Sequence, residues 1–171
     1  MTVIIRKMNA NDISEVQAIA RISWHTTYEN IIPIAIQNNF LDMAYNDEQM
    51  KQRLDHSMIY IAEVAGQVVG FANYSFVRED GNIELAAIYL HPNAQGQGIG
   101  TLLLQQAWEE IDGVKAIYIN VEKDNAIGMH FYKAKGFEIV SEFDDDFDGH
   151  LLKTVRMVLK IKQYVSPRAE P

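Results

Sequence analysis

The chain has 171 residues, of which 48% are hydrophobic, and it contains no cysteine. This length predicts one domain with a core that needs no crosslinks, and the lack of cysteine excludes a disulfide framework, a cysteine zinc site and a thiol nucleophile. The 15 Lys and Arg against 23 Asp and Glu give a formal net charge of −8, which argues against a general nucleic-acid binder and favours cationic partners.

Hydrophobic periodicity predicts an alternation of strands and helices along the whole chain. Residues 144–149 read as an acidic connection before the last strand, and residues 162–171 as a polar tail after a single domain over 1–161. This order predicts a mixed α+β fold in which helices cover a central sheet. The predicted elements are a strand over 3–8, a helix over 13–23, one or two short helical pieces within 24–47, a helix over 48–56, strands over 58–64, 68–77 and 83–90, a helix over 98–111, a strand over 115–121, a helix over 125–135, and strands over 137–143 and 151–161.

Local signals support several of these boundaries. The segment Asn9–Asp12 supplies capping side chains for the first helix, and Glu15 is spaced to complete a capping box with Asp12. In the helix over 98–111, five apolar residues form one stripe: Ile99, Leu102, Leu103, Ala107 and Ile111.

No segment resembles a targeting signal or a membrane span. The N-terminal residues lack the apolar stretch of a secretory peptide. The most apolar short run, over 31–36, contains Pro33 and is far shorter than the ~20 residues that cross a bilayer. We therefore expect a cytoplasmic protein.

A glycine-rich loop, Gln95-Gly96-Gln97-Gly98-Ile99-Gly100, joins a strand to an amphipathic helix. Glycines let backbone N–H groups approach a ligand, and a helix N-terminus adds unpaired donors, so this pattern favours a phosphate or pyrophosphate site. The alternative is a plain flexible turn. A dinucleotide fingerprint is excluded because Thr101 stands where the third glycine belongs, and no Gly-Lys-Ser/Thr triplet indicates a P-loop.

Two motifs resemble the GCN5-related N-acetyltransferase (GNAT) family. The first is Gln95-x-x-Gly98-x-Gly100, entered from Ile88-Tyr89-Leu90-His91-Pro92, and the second is Asn125 followed by Phe131-Tyr132 and Gly136-Phe137. The resemblance implies a central, mostly antiparallel sheet of about seven strands flanked by helices. It also implies acetyl-CoA as the acetyl-donating co-substrate and no metal.

The resemblance further implies where acetyl-CoA binds. Strand backbone would pair with the pantetheine arm, a backbone N–H near Leu90 would polarise the thioester carbonyl, and the loop would hold the pyrophosphate. The predicted cofactor-binding residues are Ile88, Tyr89, Leu90, Gln95, Gly96, Gln97, Gly98, Ile99, Gly100 and Asn125.

Two residues are predicted to be catalytic. An acceptor amine with a pKa of ~10.4 is almost fully protonated at pH 7, so a base is required. Glu84 stands eleven residues before Gln95, a spacing similar to that of the catalytic glutamate in histone-acetylating members, and its alternative is a solvated strand carboxylate. The resemblance places Tyr132 near the sulfur, where it would protonate the leaving thiolate; its alternative is an ordinary packing aromatic.

Aromatic and acidic residues are predicted to bind the acceptor amine. The predicted substrate-binding residues are Trp24, Tyr28, Asp144, Asp145 and Asp146. Trp24-x-x-Thr27-Tyr28 and Phe147-Asp148-Gly149-His150 look similar to bacterial polyamine acetyltransferases of the PaiA type. This resemblance predicts a small cationic amine as substrate, such as spermidine or spermine. The acidic net charge and the lack of a spanning segment predict no nucleic-acid or membrane partner. A protein or peptide amine, a non-catalytic CoA-binding module and a homodimer stay open.

Overall fold

The computed structural model describes residues 2–161, which form seven strands and five helices; the predicted tail over 162–171 lies outside the described residues. The strands are β1 (Val3–Lys7), β2 (Met58–Val64), β3 (Gln67–Tyr74), β4 (Asn82–Leu90), β5 (Ala116–Glu122), β6 (Glu138–Phe147) and β7 (His150–Lys160). The helices are α1 (Ile13–Thr27), α2 (Ile34–Ala44), α3 (Asp47–His56), α4 (Ile99–Glu110) and α5 (Ala126–Ala134). None of these helices is long and apolar enough to span a membrane.

One sheet runs through the structure in the order β1-β2-β3-β4-β5-β7-β6. Every neighbouring pair is antiparallel except β4 and β5, which are parallel. These two strands pair only over residues 82–84 and 116–118 and then separate. The predicted mixed α+β fold with a mostly antiparallel seven-stranded sheet is confirmed, and the separation opens a gap, here called the cleft, between residues 85–90 of β4 and 119–122 of β5.

Two apolar cores lie on opposite faces of the sheet. The first packs β5 against α4, with Leu103 and Ile117 fully buried, and the second packs α1, α2 and α3 around residues such as Val16 and Met50. Each such side chain contributes about 1.5–3 kcal/mol on burial. The predicted stripe of α4 is wrong at one position, because Leu102 is 38% exposed and Leu104 is buried.

Two elements are longer than predicted. Helix α1 continues to Thr27 because Trp24 is buried and stacks on Phe40 of α2, at 4.3 Å between ring centroids. Strand β6 continues through the acidic stretch, since the connection to β7 is only the tight turn at Asp148 (φ 52°) and Gly149 (φ 80°).

The predicted capping box at α1 is displaced by one turn. Asn9 and Asp12 cap each other across a short 3₁₀ turn, whereas Glu15 accepts a hydrogen bond from the amide of Val68. Both guanidinium nitrogens Nη1 and Nη2 of Arg6 donate to Asp12 at 2.8 Å, and these hydrogen bonds hold the pKa of Asp12 below its ordinary value of 3.8. The cap is therefore also an ion pair between β1 and α1.

Asp12→Ala is expected to lower the free energy of unfolding at pH 7 by about 2–3 kcal/mol, because it removes charge-assisted hydrogen bonds at a buried site. A carboxyl group whose pKa is lower in the folded state than in the unfolded state stabilises the fold at any pH above its unfolded-state pKa. This stabilisation is lost as the pH falls through the folded-state pKa. The difference in the free energy of unfolding between Asp12→Ala and wild type, measured by urea unfolding, should therefore become smaller below about pH 3.8. Asp42→Ala removes the exposed pair with Arg21 and should cost about 0.5 kcal/mol or less; equal losses would contradict the assignment.

Candidate active site

The β4 side of the cleft offers unpaired backbone groups. The amide of His91 donates to the carbonyl of Val69 on β3 at 2.8 Å, and backbone groups alternate along a strand. The backbone of Tyr89 therefore faces β3, opposite Phe71, while the amides and carbonyls of Ile88 and Leu90 face the cleft. An extended ligand in the cleft would have the backbones of these two residues as hydrogen-bond partners. Tyr89 was predicted to bind the cofactor as well, but its backbone groups face β3 instead of the cleft.

The glycine loop leads into the N-terminus of α4 beside this edge. Gly98 is the N-cap residue in the left-handed region (φ 80°), and no side chain caps the helix. The first amides of α4 consequently lack intrahelical acceptors, and the helix dipole adds positive potential there. The side-chain amide of Gln97 donates to the carbonyl of Asn93, so the groups that this loop offers to an anion are backbone N–H groups.

Helix α5 follows β5 in the chain and carries the predicted catalytic residue Tyr132, with Asn125 as its N-cap. The Oδ1 atom of Asn125 accepts a hydrogen bond from the amide of Gly128 at 2.9 Å and caps the helix. Asn125, which was predicted to bind the cofactor, therefore stabilises the start of α5. Tyr132 packs against Phe131 and Phe137. Burial, and secondarily the charge of Glu122, raise the pKa of Tyr132 above its usual value, so the phenol stays protonated and is a hydrogen-bond donor.

Glu84 lies at the closed end of the cleft, in the last pair that joins β4 to β5. Both of its carboxylate oxygens accept hydrogen bonds from the guanidinium of Arg156, and Arg78 lies 3.8 Å away. The same hydrogen bonds raise the pKa of Arg156. The role of Glu84 as a base stays a prediction, and it requires the carboxylate to leave this ion pair.

Trp24 and Tyr28 do not offer the ring faces that the sequence suggested. They are 4% and 5% exposed, and their ring centroids lie 4.5 Å apart within the α1–α2 core. Burial raises the pKa of Tyr28 well above its usual value, so its hydroxyl stays protonated. That hydroxyl donates to Oε2 of Glu122 at 2.7 Å. Tyr28 therefore meets the cleft through its hydroxyl rather than its ring.

Glu122 is a site residue that sequence reasoning missed. It is the last residue of β5, half-buried, and directly opposite Thr154 on β7. Its signal in the sequence is weak: a carboxylate three residues before the Asn125 motif, at the end of an apolar strand.

The acidic residues of β6 divide between the two faces of the sheet. Asp145 pairs with Leu152, which is buried in the α1–α2 core. Asp144 and Asp146 have the opposite parity and lie on the other face, where Asp144 is opposite Lys153. Of the three predicted aspartates, only Asp145 shares a face with Tyr28 and Glu122.

Comparisons with known sequences show the family of the chain. The profile of the Acetyltransferase (GNAT) family matches residues 16–137. An uncharacterised N-acetyltransferase of Bacillus subtilis, YuaI, is 32% identical over 158 residues, which cover 90% of each chain. The spermidine N(1)-acetyltransferase of Thermoplasma acidophilum is 26% identical and covers 86% of this chain and 95% of its own.

Solved structures show the same fold. PaiA N-acetyltransferase from Thermoplasma acidophilum, in complex with coenzyme A, superposes with a TM-score of 0.81 at 24% identity and covers 94% of this chain and all of its own. The acetyltransferase YncA from Salmonella typhimurium, solved with acetyl-CoA, gives a TM-score of 0.65 at 21% identity, over 99% of this chain and all of its own.

Proposed function

The chain belongs to the GNAT acetyltransferase family, and we propose that it transfers the acetyl group of acetyl-CoA to a primary amine of a polyamine such as spermidine or spermine. The observation that carries the acceptor proposal is the pair of carboxylates, Asp145 and Glu122, on one face of the sheet beside the cleft. The relative named as a spermidine acetyltransferase adds support.

Acetyl-CoA is the co-substrate, and the cleft suits its three parts. We assign the pyrophosphate to the first amides of α4 and the loop that precedes them. The pantetheine arm then lies along the free edge of β4, where Ile88 and Leu90 present amides and carbonyls. One of these amides donates to the thioester carbonyl and stabilises the oxyanion of the tetrahedral intermediate.

We assign protonation of the leaving thiolate to Tyr132. As the carbon–sulfur bond breaks, the protonated phenol donates to the sulfur and keeps a free thiolate from accumulating. Burial keeps the pKa of Tyr132 above its usual value, so the hydroxyl carries a proton throughout the neutral range.

The spacing of the carboxylates suits an extended polycation. Glu122 is opposite Thr154, Thr154 is opposite Phe143, and Asp145 lies two residues further along β6. Two strand spacings and two residue rises put the Cα atoms of Glu122 and Asp145 about 12 Å apart, comparable with extended spermidine. One ammonium can then stand at the cleft while a distal ammonium meets Asp145.

Asp145→Asn is expected to raise the KM for spermidine about three- to fivefold, which is the size of an exposed ion pair, without changing the KM for acetyl-CoA. Asp144→Asn, on the opposite face, should have a smaller effect, and Asp112→Asn in the remote α4–β5 turn controls for net charge. Steady-state kinetics at low and high salt measure all three. An equal effect of the three variants would show that only net charge matters.

The function is tested by thiol release from acetyl-CoA with spermidine, spermine, a peptide bearing a free N-terminal amine and an aminoglycoside. Polyamines should give the highest kcat/KM. Turnover of the peptide alone would replace the polyamine proposal with a protein or peptide acceptor. Tight acetyl-CoA binding with no thiol release from any amine would indicate a non-catalytic module.

A further inference from the structure

Glu122 stands across the cleft from the free edge of β4. The parallel register pairs residue 84 with 118, and β4 carries one extra residue in a bulge over 85–87, so position 122 lies at about the level of residues 88–89 across the cleft. Ile88 is one of the two β4 residues whose backbone faces the cleft. A carboxylate at this position lies where a nucleophile reaches a thioester that is held by β4.

One oxygen of this carboxylate is fixed and the other is available. Oε2 accepts the Tyr28 hydroxyl at 2.7 Å, whereas no described side chain donates to Oε1. The hydrogen bond holds the carboxylate in one orientation, and because Tyr28 keeps its proton, Glu122 is the acceptor in this pair.

A buried hydroxyl beside Glu122 lacks a hydrogen-bond partner among residues 2–161. Thr154, the direct cross-strand neighbour of Glu122, is 4% exposed, and its Oγ1 has no hydrogen-bond partner among residues 2–161. Buried polar atoms are normally satisfied, so the unsatisfied hydroxyl of Thr154 beside Glu122 indicates a place for water or a polar ligand.

The charge of Glu122 also reaches three phenols that line this region. Burial is the main cause of the raised pKa of Tyr28, Tyr89 and Tyr132, and the negative charge of Glu122 adds to each shift. Glu122 is therefore close to Tyr132 on α5 and Tyr89 on β4 as well as to Tyr28 on α1.

Glu84 has neither property. Glu84 is opposite Tyr118, which precedes Glu122 by four residues on β5, so the two carboxylates are about 13 Å apart along the cleft. Both oxygens of Glu84 also accept hydrogen bonds from Arg156. A base that must first give up a guanidinium partner is less suited than one with a free oxygen.

We propose that Glu122, positioned by Tyr28, is the general base that removes a proton from the acceptor ammonium. This rests on the proposed amine acetylation. The ammonium gives one proton to Glu122, and the nitrogen lone pair forms the carbon–nitrogen bond. When the carbon–sulfur bond breaks, Tyr132 protonates the sulfur and recovers a proton from the nitrogen. The products are the amide and CoA thiol, and Glu122 passes its proton to water.

The test compares Glu122→Gln with wild type on two acceptors of the same class. One is spermidine, whose amines are protonated at the assay pH, and the other is a spermidine analogue whose terminal amine is made weakly basic by adjacent fluorine and is largely neutral. The variant should lose kcat/KM by about 100-fold with spermidine and by less than 10-fold with the analogue. Glu122→Asp, which keeps the carboxylate, should retain more activity than Glu122→Gln.

Two controls separate chemistry from folding. Both variants should keep the wild-type melting temperature and acetyl-CoA affinity, measured by calorimetry. Glu142→Gln, which removes an exposed carboxylate paired with Lys123, should leave the kinetics unchanged.

Each result decides the proposal. Equal losses with the two acceptors, a rise in KM with unchanged kcat, or wild-type activity would overturn Glu122 as the base. If wild type acetylates a peptide amine but no polyamine, the polyamine proposal fails, and the same comparison is made with strongly and weakly basic peptide amines. If Glu122→Gln loses its fold, Glu122→Asp carries the test, and a loss that does not depend on acceptor basicity overturns the proposal.

Discussion

Replacing Tyr132 by Phe is expected to lower kcat about 100-fold, equivalent to about 2.7 kcal/mol of transition-state stabilisation, while the KM for acetyl-CoA changes little. The substitution removes one hydroxyl and keeps the ring that packs against Phe131 and Phe137. The loss therefore reports the hydrogen bond to the departing sulfur rather than a change in packing. Initial rates of thiol release at saturating acetyl-CoA measure it.

Tyr118→Phe is the matched control for this result. Its ring lies under the guanidinium of Arg156, at 4.7 Å, and the substitution leaves that contact in place. Near-wild-type kcat in Tyr132→Phe would mean that Tyr132 only packs. Since burial raises the pKa of Tyr132, loss of its proton should not lower wild-type activity at any pH up to about 10, its usual value.

Local signals were enough to predict the scaffold. The predicted strand over 58–64 and helix over 125–135 fall within one residue of the observed elements, because apolar periodicity and turn residues are encoded locally. The predicted ends of elements were wrong where tertiary contacts determine how far an element extends. Helix α1 gains a turn through the packing of Trp24, and β6 crosses an acidic stretch because β7 lies beside it.

The site was harder to predict than the fold because its residues meet across strands. The glycine loop and Tyr132 belong to contiguous motifs that are visible in sequence. The role of Glu122 depends on the parallel register that places it across the cleft from residues 88–89 and on a hydroxyl 94 positions away in the chain. Likewise, the ion pair between Glu84 and Arg156 joins residues 72 positions apart, so spacing alone does not reveal that this carboxylate is occupied.

Enlarging Gly100 is expected to weaken acetyl-CoA binding. A Cβ atom there would lie 3.3 Å from Cζ of Phe131, tighter than ordinary contact, so Phe131 has to move. Phe131 precedes Tyr132 on α5, and the backbone of Gly100 is part of the helix N-terminus assigned to the pyrophosphate. One added side chain thus disturbs both the anion site and the helix that carries the proton donor.

The series Gly100→Ala and Gly100→Val should show a graded effect. The methyl of Ala requires a shift of a few tenths of an ångström, whereas the branched Val needs a larger displacement of α5. We expect the KM for acetyl-CoA to rise about threefold in the first variant and more than tenfold, about 1.4 kcal/mol, in the second. The KM for the acceptor should change little, because Asp145 and Glu122 lie on the other face of the sheet. An unchanged acetyl-CoA affinity in a Gly100→Val protein with the wild-type circular dichroism spectrum would place the pyrophosphate elsewhere.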